Sequence, residues 1–251
     1  MGEAPVSREP PVIALFRPDD ARMNQTVARI RDHGGRPLRD PMLAITPTGT
    51  LPPSDAPMTI FTSRTGVEIV AAAGWTPEAT RVVAVGAPTA DAAEAAGWSR
   101  PKTPERYDSI GLSEFIIDAV PSHVVIARSD HGSSVLPEAL SAAGIPHDEV
   151  ILYQLERPAG AGDSVHATAA GDVDALAFTS SLTVTHFMEI AHEDDIYDGI
   201  LAHLPQVTVG AIGDPTAQTL REHAIEPDCI PSEATADALI EEIFDHLSHD
   251  R

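Results

Sequence analysis

The chain has 251 residues, of which 43% are apolar and only 4% aromatic, so its core must be filled by Ala, Val, Ile and Leu, the usual packing between helices and a parallel sheet. Asp and Glu number 38 against 16 Lys and Arg, and Lys102 is the sole lysine; a net charge of −22 excludes binding to nucleic acid or anionic membranes and suggests a protein kept hydrated in molar salt. Cys229 stands alone, which excludes an internal disulfide or thiolate metal cluster, and Met1 to Pro11 carries no apolar leader, so a soluble cytoplasmic protein is expected.

The length points to two domains of roughly 120 residues each. Val12 to Phe16 is a short apolar run; Arg17-Pro18-Asp19-Asp20 then leads to Met23, Val27 and Ile30 at helical spacing, stopped by Gly34-Gly35. This predicts strand, turn, helix and stop. Arg39 to Pro57 carries five prolines and reads as an extended connector. Ile60-Phe61-Thr62-Ser63-Arg64-Thr65-Gly66-Val67 predicts a strand entering a helix through Thr-Ser, and Val85-Gly86-Ala87-Pro88-Thr89-Ala90 predicts the next such turn. Leu112 and Ile116 mark a closing helix.

The same order then repeats. Val124 to Ala127 enters Arg128-Ser129-Asp130 and a helix through Leu136 and Leu140, ended by Gly144. Glu149 to Asp163, with Val150 to Leu155, Pro158 and a Gly160-Ala161-Gly162 hinge, reads as a second extended connector. Ala177-Phe178-Thr179-Ser180-Ser181 matches the first Phe-Thr-Ser, Ile212-Gly213-Asp214-Pro215-Thr216-Ala217 matches the first Gly-Ala-Pro-Thr-Ala, and Leu239 with Ile243 matches Leu112 with Ile116. Each copy is a β-α array the size of one doubly wound parallel-sheet domain.

In such a domain ligands sit beyond the carboxyl ends of the strands, where helix N-termini offer unpaired amides to an anion. Ser63, Thr89, Ser180 and Thr216 are placed as helix caps there, with Ser181 beside them, and Gly86 and Gly213 let the backbone approach a ligand. Arg17, Arg64 and Arg128 follow strands in the same way; two copies facing each other would line a cleft suited to a polyanion, since arginine grips carboxylates in bidentate fashion. Each of these arginines also reads as a surface ion pair. At molar salt the Debye length is roughly 3 Å, so the chain's acidity does not exclude an acidic ligand.

Several chemistries drop out. His186 and His192 fall on different sides of a helix, which leaves the histidines as solvated or capping residues rather than metal ligands. Nucleotide-binding glycine motifs and a Gly-x-Ser-x-Gly elbow are absent from the sequence. A two-lobed intracellular protein that binds or senses a small molecule without catalysis stays open as the alternative to an enzyme, and a nucleotide-sugar enzyme is a weaker one.

The order Arg-Pro-Asp, Phe-Thr-Ser, Val-Gly-Ala-Pro-Thr-Ala, Leu152-Tyr153-Gln154, Phe-Thr-Ser again, Ile-Gly-Asp-Pro-Thr-Ala and Glu233-Ala-Thr-Ala-Asp-Ala-Leu239 resembles the uroporphyrinogen-III synthase family over nearly the whole chain. That family usually has Gly-Pro-x-Thr-Ala where this chain has Gly213-Asp214-Pro215-Thr216-Ala217. The resemblance implies two flavodoxin-like domains, residues 1–40 with 157–251 and residues 46–148, joined by a two-stranded β-ladder from residues 41–45 and 149–156. The first strand and helix would then belong to the lobe holding the C-terminal half. It also implies a lyase that closes hydroxymethylbilane, a linear tetrapyrrole bearing several carboxylates, with loss of water and inversion of the terminal ring, using no metal or cofactor. Tyr153 and Thr216 match positions the family places at its cleft, and a phenol such as Tyr153 could donate a hydrogen bond to the departing hydroxyl as general acid. A monomer is expected, touching the preceding enzyme of the pathway at most transiently.

Overall fold

The structure, a computed structural model, describes residues 9–249; the beginning of the stretch read as free of a leader, residues 1–8, and the last two residues lie outside the described residues. In chain order the elements are β1 (Val12–Leu15), α1 (Ala21–Asp32), β2 (Arg36–Arg39), β3 (Ala44–Pro47), β4 (Met58–Phe61), α2 (Arg64–Ala72), β5 (Arg81–Ala84), α3 (Ala87–Ala95), α4 (Ser109–Ala119), β6 (Val124–Ser129), α5 (Val135–Ala142) and β7 (His147–Glu156). There follow α6 (Asp163–Ala170), β8 (Ala175–Phe178), α7 (Ser181–Glu193), α8 (Tyr197–His203), β9 (Thr208–Ala211), α9 (Asp214–Glu222) and α10 (Ala236–His249). The chain divides into a central unit, Ile45–Leu155, and a terminal unit built from the residues up to Ala44 and those from Glu156 onward.

The terminal unit holds a four-stranded sheet of order β2-β1-β8-β9, and the central unit a five-stranded sheet of order β3-β7-β6-β4-β5. The registered pairs of both sheets are parallel, including β1 with β8, so the first strand joins the C-terminal half of the chain. The repeat seen in the sequence becomes a topological one, because β7-β6-β4-β5 corresponds to β2-β1-β8-β9. It extends to a detail: Val83 bridges Lys102 at the edge of one sheet, and Gly210 bridges Cys229 at the same place in the other.

Strands covered on both faces explain the unbroken apolar runs. In β1, Ile13 and Leu15 face Met23, Ile30, Leu239 and Ile243 of α1 and α10, while Ala14 packs on the opposite face with Val184 and Leu220 of α7 and α9. In β4, Met58 and Ile60 face Leu112, Ile116, Leu136 and Leu140 of α4 and α5, whereas Phe61 meets Val67, Val70, Trp75 and Trp98. The few aromatic rings are concentrated: Phe61, Trp75 and Trp98 form one cluster, and Phe16, Phe178 and Phe187 another. Cys229 is buried in the α1–α10 layer, where desolvation pushes its thiol up to about 12.

Residues 149–156, read as an extended connector strand, lie in β7, which pairs with β6 from His147 to Tyr153 and has β3 as its other neighbour. Two sequence expectations change. Gly160-Ala161-Gly162, read as a hinge, is pinned: buried Asp40 accepts the N–H of Gly162 at 3.0 Å and of Ser164 at 2.9 Å, and also the Ser164 hydroxyl. Gly162, with φ 132°, is thereby the N-cap of α6, a conformation glycine adopts without strain. His186 is neither solvated nor a cap, but buried with Nδ1 2.6 Å from the Met42 carbonyl, which fixes the proton on that nitrogen.

Candidate functional site

In the central unit the chain leaves β4 through Thr62 and Ser63. Ser63 is extended, and its Oγ accepts the Gly66 N–H at 3.0 Å, starting α2 as the sequence predicted. The same Oγ lies 2.9 Å from the phenol oxygen of Tyr153 on β7. The strand order β7-β6-β4 brings the two residues to one end of the sheet, although they are ninety positions apart in the chain. There Ser63, Ser109, Arg128, Ser129, Leu136 and Tyr153 help to line a cavity of about 150 Å³.

Arg128 is only 8% exposed, and its guanidinium is turned back onto its own loop. Nε donates to the Ser129 carbonyl, NH1 to the Ser133 carbonyl at 2.9 Å and NH2 to the Gly132 carbonyl, while Glu149 of β7 pairs with NH1 at 2.9 Å. Its charge is therefore met by Glu149, and its donors hold residues 129–133 in place. Gly132 leaves room for this guanidinium, since a Cβ at that position would stand 2.5 Å from Nε of Arg128. Arg64, by contrast, lies in the exposed first turn of α2 and pairs with Glu68 at 2.6 Å.

Thr89 and Thr216 are not caps. Gly86 and Gly213 are the N-caps of α3 and α9, and each threonine sits buried in the first turn, 3% exposed. The cause is proline: Pro88 and Pro215 have no N–H to leave unsatisfied in a first turn, so the helix begins ahead of them and takes the threonine inside. The two cap glycines differ in what covers them. A Cβ at Gly86 would meet the Tyr107 ring at 3.0 to 3.3 Å, so the group close to this backbone is Tyr107; a Cβ at Gly213 would touch only Ala234 at 3.8 Å. The turn at Gly213 is thus open, and neither α3 nor α9 has a side-chain cap.

In the terminal unit Ser180 caps α7 by accepting the Thr183 N–H at 3.3 Å, repeating the role of Ser63. Ser181 donates to the Pro215 carbonyl at 3.0 Å and so ties α7 to the first turn of α9. Arg17, just beyond β1, donates to Thr26 Oγ1 at 2.9 Å, while among the described residues its buried Nε has no partner. Burial lowers the Arg17 pKa from its ordinary value, with neighbouring Asp20 opposing the shift.

The predicted residues thus fall into two sets, each at the carboxyl end of its own sheet: Ser63, Gly86, Thr89, Arg128 and Tyr153 in the central unit, with Arg64 turned outward, and Arg17, Ser180, Ser181, Gly213 and Thr216 in the terminal unit. Sequence reasoning did not single out Ser109, Ser129, Gly132 or Tyr107. The Asp108 cap signal ahead of an apolar helix marks the segment that carries Ser109 and Tyr107; nothing in the sequence marks Gly132.

The chain is similar to known proteins over most of its length. A protein of Methanothermobacter thermautotrophicus, provisionally named a uroporphyrinogen-III synthase, is 28% identical over 230 residues, covering 85% of this chain and 90% of that protein. The crystal structure of a mutant uroporphyrinogen III synthase from Thermus thermophilus superposes with a TM-score of 0.66 at 19% identity, over 96% of this chain and 100% of that one. The Helicobacter pylori enzyme gives 0.60 at 18% identity, over 96% and 99%. At such identities these two solved structures establish the shared fold. The family model for Uroporphyrinogen-III synthase HemD matches residues 24–241, and the chain belongs to that family.

Proposed function

We propose that this protein is a uroporphyrinogen-III synthase, a hydro-lyase that cyclises hydroxymethylbilane. The observation that carries the mechanism is the 2.9 Å contact between Ser63 and Tyr153 on the wall of the central unit's cavity. Ser63 Oγ already accepts the Gly66 N–H, so its own proton is free to be donated to the phenol oxygen. The Tyr153 proton then points to the substrate, where it is given to the departing hydroxyl of the bilane as that group leaves as water. The resulting electrophilic carbon is attacked by the substituted carbon of the terminal ring, giving a spiro intermediate. The spiro carbon's original bond to the bridge of the preceding ring then breaks, that bridge re-forms on the terminal ring's free α-carbon, and the proton this carbon loses restores the phenol, so the ring is inverted. One water leaves and no electrons are exchanged, so the reaction balances without a cofactor.

Orientation of the reacting ends carries most of the catalysis, because the bilane also closes unaided, to the uninverted isomer. The open, uncapped first turn of α9 and the partly unsatisfied Arg17, both in the terminal unit, are suited to carboxylates. The acidic composition, with one lysine, supports a cytoplasmic protein working at high salt, and we take the active species to be a monomer. Freshly prepared hydroxymethylbilane should be converted by the purified protein in concentrated salt to the type III isomer of uroporphyrinogen. Type I alone, as forms without enzyme, refutes the assignment.

A further inference from the structure

Tyr107 is the only aromatic residue among the described residues with an exposed side chain, at 58% exposure. Its ring is seated rather than loose. It packs against the backbone of Gly86, and the next residue, Asp108, caps α4 by accepting the Gly111 N–H at 2.7 Å while pairing with Arg106 at 2.7 Å. The ring lies against Gly86, the residue after the cavity-lining Val85, and two residues before the cavity-lining Ser109, so it sits close to the cavity that contains Ser63 and Tyr153. Ile110, at 51% exposure, and Val135, at 40%, are exposed apolar residues next in sequence to the lining residues Ser109 and Leu136.

Size decides what the ring is for. Sites for small organic ligands usually measure about 300 to 1,000 Å³. The cavity, at about 150 Å³, holds one pyrrole ring or its acid side chain and leaves the rest of a linear tetrapyrrole outside. We infer that Tyr107 is a stacking platform for a second pyrrole ring of the bound substrate, a positioning residue that holds the chain while its reacting end enters beside Tyr153. One face of the ring is held against the Gly86 backbone, and its exposed surface offers a flat pyrrole an offset stack.

This inference rests on the tetrapyrrole reading above, and the experiment keeps the two apart. Tyr107→Ala and Tyr107→Phe are assayed with fresh hydroxymethylbilane beside the unaltered protein, and all three are titrated with uroporphyrin, a stable cyclic tetrapyrrole with the same carboxylates. Tyr107→Phe should match the parent. Tyr107→Ala should raise KM about 5- to 10-fold, the usual scale for losing one stacking partner, with a smaller change in kcat. It should also let a larger share of product emerge as type I and weaken uroporphyrin binding by a similar factor. The melting temperature should stay near that of the parent, because the side chain is mostly in solvent. Unchanged KM, isomer ratio and affinity in Tyr107→Ala overturn the platform while leaving the enzyme assignment intact. If the unaltered protein yields only type I, the enzyme assignment fails, and the titration alone then decides the platform: equal affinities overturn it, weakened affinity in Tyr107→Ala supports it.

Discussion

The hydroxyl of Ser63 sits 2.9 Å from the phenol oxygen of Tyr153 while accepting the Gly66 N–H, so one side chain both starts a helix and orients the candidate acid. Removing it should therefore do two separable things. Ser63→Ala is expected to cost about 1 kcal/mol of stability through the lost cap and to lower kcat by more than that loss would suggest. Tyr153→Phe, which keeps the ring in its packed place, should leave thermal unfolding nearly unchanged and lower kcat by on the order of 10², the low end for a positioned general acid. Full activity in Tyr153→Phe rules out the acid role.

Arg128 and Gly132 should behave as a coupled pair. Gly132→Ala puts a Cβ within 2.5 Å of a guanidinium that three carbonyls and Glu149 hold in place, so the loop has to move. Arg128→Met removes the charge and the loop's donors together; with Glu149 half exposed, a destabilisation of about 2 kcal/mol is expected, below the 3–5 of a fully buried broken pair. Adding Gly132→Ala to Arg128→Met should cost much less than Gly132→Ala alone, which a denaturant double-mutant cycle reads directly. Additive losses mean the two residues do not interact.

Those two residues also mark where the sequence stopped being informative. The doubly wound repeat was legible because strands buried on both faces, turns rich in Gly, Pro, Ser and Thr, and stopping glycines are local signals, and they recur in order. Ser63 and Ser180 were legible as caps for the same reason. What a side chain does after the turn depends on elements distant in the chain. Arg128 reads as a ligand cation until Glu149 and the 129–133 carbonyls are seen around it, and Gly86 reads as open to ligand until Tyr107 is seen on it. Thr89 and Thr216 were misplaced by three positions, because the proline beside each is equally at home just before a helix or inside its first turn.

Asp108 should give the protein an acid-sensitive edge. The Gly111 N–H, followed by the Arg106 guanidinium, holds the Asp108 carboxyl below the usual carboxylate value. A carboxylate whose folded pKa is depressed stabilises the fold above its unfolded value of ~3.9, and that contribution is lost as pH falls through the lower folded value. Because Asp108 anchors the segment carrying Tyr107, acid should loosen the α4 N-terminus and the platform together. Asp108→Asn keeps an oxygen for the cap but cannot titrate, so its stability should fall less between pH 5 and pH 2.5 than the parent's. Parallel pH profiles for the two proteins exclude Asp108 as a source of acid sensitivity.

Cys229 should be silent until the terminal unit opens. Burial, then the charges of Asp228 and Glu242, push its thiol up to about 12, far above any assay pH, and the thiolate is the reactive form. A maleimide or disulfide reagent at pH 8 should leave the folded protein unmodified and label one thiol per chain once denaturant is added. Rapid labelling of the folded protein means the α1–α10 layer opens readily.

Salt should stabilise this protein, and the sign follows from a competition between two electrostatic effects. The arginines are spent locally: Arg100 pairs with Asp91 and Glu94, Arg157 with Glu193, and Arg221 with Glu226, all on the surface. Each such pair contributes about 0 to 1 kcal/mol and is weakened by screening. Against them stands a net charge of −22, whose mutual repulsion acts over the ~10 Å Debye length of 0.1 M salt and is largely cut off at the ~3 Å of molar salt. Because acids outnumber cations by more than two to one, relief of repulsion outweighs loss of the pairs. The far-ultraviolet circular dichroism melt should therefore move to higher temperature from 0.1 M to 2 M KCl. A melt that is flat or falls across that series means self-repulsion is not what limits the fold.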